Sequence, residues 1–191
     1  MLKNLLRVCV LSCITALPVY ASENYVIDKD HSFVLWHIDH LGFSTQSGKW
    51  YVNGTLELDK QKPQNSKVQV SIDIANMDTG NPELDKHLQA AEFFDTAHFP
   101  KATFESNKVV PVGKDKAKVT GILTLHGISK PVTLQVKFNK EGKNPIYDRQ
   151  TVGFSATGDI KRSDFGMKTL LPALGDTVHL DISAEAYQPK A

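Results

Sequence analysis

The side chains best suited to chemistry in this 191-residue chain are its clustered histidines. His31, His37 and His40 lie close together, and Asp39 stands between two of them. Residues of a β-strand share a face only when they are two apart, so His37 aligns with Asp39 while His40 points the other way. Two ligands do not complete a metal site, and the sequence has no His-Glu-x-x-His pattern. We therefore predict no metal site and interpret these histidines as surface or structural residues.

Nucleophilic catalysis has an equally weak basis in the sequence. The segment Gly153-Phe154-Ser155-Ala156-Thr157 comes nearest to a serine-hydrolase motif. It lacks the second glycine, and its serine falls within a predicted strand instead of a strand-to-helix turn. We predict no catalytic residue.

The first 21 residues have the organisation of a cleaved signal peptide. Lys3 and Arg7 precede an apolar stretch at residues 8–17, and Val19-Tyr20-Ala21 supplies a small-residue cleavage pattern. We expect a mature chain that begins at Ser22, without disulfides because both cysteines are removed. No stretch reaches the ~20 apolar residues that a membrane-spanning helix requires. A lipid anchor on Cys13 is the alternative, but apolar residues continue beyond that cysteine, and we favour secretion without an anchor.

The charges of the mature chain are nearly balanced. Removal of Lys3 and Arg7 from the 22 basic residues leaves 20 against 21 acidic ones, a net charge of −1. No basic stripe or run of like charge occurs, so the sequence predicts neither nucleic acid nor an anionic membrane surface as a partner.

Most of the remaining chain alternates apolar and polar residues with a period of two, which is typical of half-buried strands. We predict eight strands, at residues 32–39, 48–59, 66–74, 101–109, 116–125, 132–138, 150–160 and 178–186. Long antiparallel strands with one polar face can form a sandwich or a closed barrel. Alternation alone does not separate these two architectures.

One short helix is predicted between the third and fourth strands. Asn81 provides an N-cap and Pro82 the first helical position. Leu84, His87 and Leu88 then share the face expected to meet the core. With the phenylalanines that follow, this segment could form a lid on a barrel, or its rings could simply complete the core.

Short motifs spread over residues 25–176 resemble those of one protein family. They are Tyr25-x-x-Asp28-x-x-His31-Ser32, His40-x-Gly42, Asp78-Thr79, Asp85-x-His87-Leu88, Glu92-Phe93-Phe94-Asp95, Phe99-Pro100, Phe104-x-Ser106, Gly121-x-Leu123-Thr124-x-His126-Gly127, Pro131-Val132, Gly153-Phe154, Arg162-Ser163-Asp164-Phe165-Gly166-Met167 and Gly175-Asp176. Each motif is unspecific alone, but their order and spacing together resemble the YceI family of periplasmic lipid-binding proteins.

This resemblance implies an all-β fold: an eight-stranded antiparallel lipocalin-like barrel, with one short helix between strands 3 and 4. We expect residues 22–191 to form one such domain, located in the periplasm after cleavage of residues 1–21. The resemblance implies binding, storage or transport of a long-chain isoprenoid lipid, such as an isoprenoid quinone or a polyprenyl compound. The lipid is a ligand, so no cofactor and no enzymatic activity are implied, and a homodimer is left open.

We expect the bore and its lid to be formed by the apolar strand faces, the helix and the aromatic segments at its end. The predicted ligand-binding residues are Val34, Trp36, Ile38, Trp50, Val52, Val68, Val70, Ile72, Leu84, His87, Leu88, Phe93, Phe94, Phe99, Phe104, Leu123, Phe154, Arg162, Phe165, Met167 and Ile182. His87 and Arg162 are the candidate polar contacts, although Arg162 could instead form an ordinary ion pair with Asp164 or Asp85.

Three alternative functions stay open at this point. The chain could be an enzyme that acts on an isoprenoid lipid, with His87, His126 or Arg162 as acid, base or charge stabiliser. It could be a carrier of fatty-acid-type amphiphiles. It could also be an interaction module whose barrel is filled by its own side chains.

Overall fold

A computed structural model of the protein describes residues 22–189, so the predicted signal peptide with its two cysteines lies outside the described residues. The described residues form nine strands and one α-helix: β1 (Glu23–Ile27), β2 (Phe33–His40), β3 (Ser44–Leu58), β4 (Lys67–Asp78), α1 (Pro82–Leu88), β5 (Lys101–Val112), β6 (Lys116–Leu125), β7 (Ile128–Asn144), β8 (Arg149–Lys161) and β9 (Leu174–Tyr187). Short 3₁₀ turns occupy Pro63–Asn65 and Arg162–Phe165. Within residues 22–189, no helix is long and apolar enough to cross a bilayer.

The nine strands close into a ring of eight positions. All neighbouring strands are antiparallel, in the order β3-β2-β9-β8-β7-β6-β5-β4 and back to β3. β1 and β2 share one position, because both pair with β3 on one side and with β9 on the other. The predicted eight-stranded antiparallel barrel with one short helix is therefore confirmed. β1 escaped prediction because five residues are too few to establish an alternating pattern.

Ser32 holds the ring closed where β1 gives way to β2. Its Oγ donates a hydrogen bond to the carbonyl oxygen of Glu185, and it accepts one from the Glu185 backbone N–H, both at 3.0 Å. The Ser32 side chain is fully buried. The sheet is thus continuous across the interruption, although neither strand spans it.

The antiparallel arrangement gives the barrel two different ends. Residues 41–43, 79–100, 126–127 and 162–173 connect strands at one end, which we call the inner end. Residues 59–66, 113–115 and 145–148 connect them at the other end, which we call the mouth. The two longest connections, 79–100 and 162–173, lie at the inner end, where they can cover the interior.

The helix belongs to the inner end and is capped as the sequence predicts. Asn81 Oδ1 accepts hydrogen bonds from the backbone N–H groups of Glu83 and Leu84, with Pro82 in the first turn. The helix ends at Leu88, which packs against the core as a half-buried side chain. The prediction that His87 faces the interior is wrong: His87 is exposed and lies against Phe93, with the ring centroids 4.8 Å apart. The helix has only seven residues, so few of its positions contact the core, and His87 in its last turn faces outward.

Candidate functional site

The barrel encloses an apolar cavity of about 520 Å³ that opens at the mouth. Alternate residues of most strands form its wall, because their side chains all point inward. Ten residues that the sequence predicted for the bore line it: Val34, Trp50, Val52, Val68, Val70, Ile72, Phe104, Leu123, Phe154 and Ile182. The apolar faces thus converge on one space inside a single closed sheet.

Some inward side chains remain half-buried, although they face the interior. They are Val68, Val70, Leu134, Val136, Phe154 and Ile182. Because these side chains point away from the outer surface, their residual exposure belongs to the cavity. Elsewhere the interior is tightly packed, as at Tyr25, Val152 and Phe165, each at most 1% exposed. The cavity is therefore one open part of an otherwise filled barrel.

Further wall residues were absent from the predicted site although their alternation is equally clear. They include Leu56, Leu58, Ile74, Val109, Val119, Leu125, Val132, Leu134, Val136, Phe138, Ile160 and Leu180. The period-two pattern identified most of them as inward. It contains no signal that separates inward residues at the cavity from inward residues in the packed core.

Aromatic rings close the cavity toward the inner end. Trp50 lines it and packs edge-on against Phe94, with ring centroids 5.5 Å apart. Trp36 lies next to Trp50 at 5.8 Å and fits over Gly48, where any Cβ would fall 2.3 Å from the indole. Trp36 is buried but does not line the cavity. Of the two tryptophans, Trp50 is the one a cavity ligand would touch.

The predicted lid residues lie at the inner end but outside the cavity wall. Ile38, Leu88 and Phe94 are half-buried against the core, Phe93, Phe165 and Met167 are buried, and Leu84 and Phe99 are half-buried. With Trp36, His87 and Arg162, these residues do not contribute to the lining. Their rings and side chains fill the end of the barrel beneath the cavity, so the alternative that they complete the core describes them better than a lid.

Arg162 hydrogen-bonds to backbone carbonyls and does not line the cavity. Its guanidinium donates to the carbonyl oxygens of Gly175, Met167 and Leu174, at 2.7, 3.0 and 3.1 Å. Burial lowers the pKa of Arg162, and the charge of Asp176 partly offsets this effect. The predicted contact with a ligand and the alternative ion pair with Asp164 or Asp85 are both replaced by this arrangement. Arg162 fixes the start of β9 to the turn after β8.

His126 is likewise held at the inner end. Its Nδ1–H donates to the carbonyl oxygen of Phe165 at 3.0 Å, and the ring of Phe99 packs on it with centroids 5.0 Å apart. Among the described residues, its buried Nε2 has no hydrogen-bond partner. His126, His87 and Arg162 lie outside the cavity wall, so they do not assemble a catalytic group within it.

Charged side chains surround the mouth. Lys60 contacts Glu23 and Glu141, at 2.6 and 2.9 Å, and so links the end of β3 to β7. The hydrogen bonds from Lys60, then from Tyr25, lower the pKa of Glu23, and the bonds to Glu23 and Glu141 raise the pKa of Lys60. These contacts stabilise the charged forms of Glu23 and Lys60. Sequence reasoning missed it because its members come from separate, unpatterned segments.

The rest of the mouth is also polar. Asp59, Lys67, Lys114, Asp115 and Lys116 line the cavity together with Lys60 and Glu141, and all seven lie at the mouth end. Among the described residues, no other charged side chain lines this cavity. The site therefore combines an apolar interior with a charged rim, an arrangement that suits an amphiphile.

The clustered histidines lie outside the barrel. His37 Nδ1 is 2.8 Å from Ser47 Oγ, and its Nε2 is 3.2 Å from a carboxylate oxygen of Asp181. His179 contacts Asp159 at 2.7 Å, a bond that raises the pKa of this histidine. Within residues 22–189, no three His, Cys, Asp or Glu side chains are grouped in a way that could hold a metal ion.

Comparison with protein families gives a match over almost all of the described chain. The model of the YceI-like domain matches residues 25–186. The curated Protein YceI of Salmonella arizonae is 40% identical over 193 residues, which cover 100% of both chains.

Solved structures share the fold. BcnA of Burkholderia cenocepacia superposes with a TM-score of 0.75 and 26% identity, over 83% of this chain and 98% of that one. A polyisoprenoid-binding domain from Saccharophagus degradans, implicated in plant cell wall breakdown, gives a TM-score of 0.67. That domain is 17% identical, over 89% of this chain and all of the other, so the likeness concerns the fold alone.

Proposed function

Since this chain belongs to the YceI-like family, we propose that it binds a long-chain isoprenoid lipid in the apolar cavity of its barrel. The ligand class is an isoprenoid quinone or a polyprenyl compound, and the protein stores or carries it without chemical conversion. The single observation that carries this proposal is the cavity of about 520 Å³, apolar within and charged only at its rim. Such a volume falls in the range of ligand sites in other proteins.

The shape of the site supports a chain-like ligand. The cavity is bordered by side chains from the mouth, such as Phe138 and Val109, to Trp50 near the inner end. Each methylene transferred from water into it contributes ~0.8 kcal/mol, which is offset in part by the loss of chain flexibility. A tail longer than the cavity can extend through the mouth, because the cavity lining continues to the residues of that end.

The structurally similar domain from Saccharophagus degradans supports the ligand class through its fold alone. It is described as polyisoprenoid-binding and shares the barrel, but not enough sequence to transfer a site. The proposal therefore relies on the cavity of this chain. Among the described residues, charged side chains line the cavity only at its mouth, and we accordingly propose a binding protein and not an enzyme.

Native mass spectrometry of freshly purified protein tests the ligand class. We expect a complex whose mass exceeds that of the chain by the mass of one isoprenoid lipid, because an apolar cavity should retain such a ligand during aqueous purification. Organic extraction and mass analysis of the released compound would then identify it. A co-purified fatty acid would replace the isoprenoid proposal, and a chain that stays empty even after incubation with ubiquinone would contradict lipid binding.

We also propose export to the periplasm, on the basis of the predicted signal peptide. Sequencing the N-terminus of protein from a periplasmic extract should give Ser22 as the first residue, because Val19-Tyr20-Ala21 fits the cleavage pattern. A chain that begins at a lipidated Cys13 would contradict this proposal and support the anchored alternative. Recovery of the uncleaved chain in the cytoplasm would contradict both.

A further inference from the structure

One outer face of the barrel, beside the mouth, is basic. Its charged members come from β5, β6, β7 and the β5–β6 turn, and we call this set the basic face: Lys108, Lys114, Lys116, Lys118, Lys137 and Lys140. All six are exposed, and among the described residues none forms an ion pair. Asp115 is the single acidic residue within 106–120, and residues 128–140 contain none. The face therefore carries a local charge that the balanced composition conceals.

The strand register brings these lysines together. Lys116 of β6 stands directly opposite Lys137 of β7, and Lys118 stands opposite Gln135 on one side and Val110 on the other. Like charges in directly opposed positions destabilise a sheet, and within residues 22–189 neither Lys116 nor Lys137 forms an ion pair. A repulsion of this kind is relieved when an anion binds the face from outside.

Apolar side chains accompany the lysines. A bulge between Ser106 and Lys108 shifts the phase of β5. Val109 and Pro111 therefore line the cavity, whereas Val110 and Val112 point outward and are 41% and 45% exposed. Exposed valines among unpaired lysines would suit the boundary between lipid headgroups and acyl chains, where basic residues meet anionic headgroups.

The basic face is continuous with the opening of the cavity. Gly113, Lys114, Asp115 and Lys116 in the β5–β6 turn line the mouth. We propose that this face docks the mouth against a membrane that contains anionic phospholipid. The proposal rests on the lipid-binding function, since contact at this place would let a lipid move between bilayer and cavity without crossing water. It revises the expectation from net charge that an anionic membrane is no partner.

Vesicle sedimentation at low and physiological salt tests the docking. We expect the mature chain to bind vesicles of phosphatidylcholine mixed with phosphatidylglycerol, and not vesicles of phosphatidylcholine alone. Binding should weaken as salt rises, because exposed charges are screened over ~8 Å at 0.15 M. A triple substitution K108E, K118E and K137E should reduce the vesicle-bound fraction by about tenfold, since each lysine contributes to attraction.

A matched triple, K101E, K130E and K161E, is the control. These lysines are also exposed strand residues, and they lie near the inner end, so the net charge changes equally without touching the basic face. Equal loss of binding in both triples, no binding of the unsubstituted chain to anionic vesicles, or equal binding to both vesicle types would each overturn the proposal.

Ubiquinone binding in detergent solution separates this proposal from the function it rests on. The K108E, K118E and K137E chain should bind ubiquinone as the unsubstituted chain does, because these three side chains do not line the cavity. If the unsubstituted chain fails to bind ubiquinone yet binds anionic vesicles selectively, the docking surface stands and the ligand assignment falls.

Discussion

Replacement of Val70 by aspartate should lower the affinity of the chain for ubiquinone by at least about a hundredfold. Val70 lines the cavity from the first third of β4, opposite Gly54 and Phe104 in the two neighbouring strands. A bound prenyl tail would cover the new carboxylate without offering it a hydrogen bond, which costs several kcal/mol. Because 1.4 kcal/mol corresponds to a tenfold change, that cost removes most of the affinity.

Saturable quenching of tryptophan fluorescence can measure this effect, since Trp50 lines the same cavity. The matched control is Gln69→Asp, which places the same group one residue earlier on the exposed face of β4. Because Val70 is half-buried, water can solvate the carboxylate in the ligand-free protein, and the fold should survive. Circular dichroism checks this. Undiminished quinone binding by a folded Val70→Asp chain would show that the ligand lies elsewhere.

Replacement of Arg162 by methionine should lower the free energy of unfolding by at least about 3 kcal/mol. The side chain is 5% exposed and donates three hydrogen bonds to backbone carbonyls, which methionine cannot replace. Hydrogen bonds from a charged donor contribute ~1.5–3 kcal/mol each to stability. The buried carbonyl oxygens that lose their donor lower the stability further. For a chain of this size we expect Tm to fall by about 6–12 °C.

Thermal unfolding followed by circular dichroism measures the loss. Lys161→Met is the control, because it removes the same charge from an exposed neighbouring residue and should leave Tm nearly unchanged. An unchanged Tm for the Arg162→Met chain, combined with weaker ubiquinone binding, would restore the role in ligand contact that the sequence suggested.

Strand alternation predicted eight of the nine described strands but missed the ends of several of them. β7 was expected at residues 132–138 and extends from Ile128 to Asn144. A bulge between Phe138 and Lys140 shifts its phase, and the residues beyond it are mostly polar or glycine. Period-two analysis therefore loses the strand at the bulge, although its hydrogen-bonded pairing with β8 continues.

The site was predictable where it depends on which way a side chain points, and unpredictable where it depends on packing. Val70 and Phe154 follow from alternation alone. The placement of Trp36 behind Trp50 follows instead from how two rings share a limited space. The partners of Arg162 are backbone carbonyls, which have no signature in the sequence. The opposition of Lys116 and Lys137 can be recognised only when the register of β6 and β7 is known, and the local sequence does not determine that register.

Closure of the ring through β1, β2 and β9 has a consequence for how the protein is made. The pairing joins strands that are far apart in sequence. Ser32 and Glu185, which hydrogen-bond to each other where the ring closes, are separated by 153 residues. Contacts this distant in sequence form slowly, since a long loop must first be closed. β9, which follows all the other described strands in sequence, is needed before the edges of β2 and β8 are both paired. We therefore expect closure of the ring to be a late step in folding.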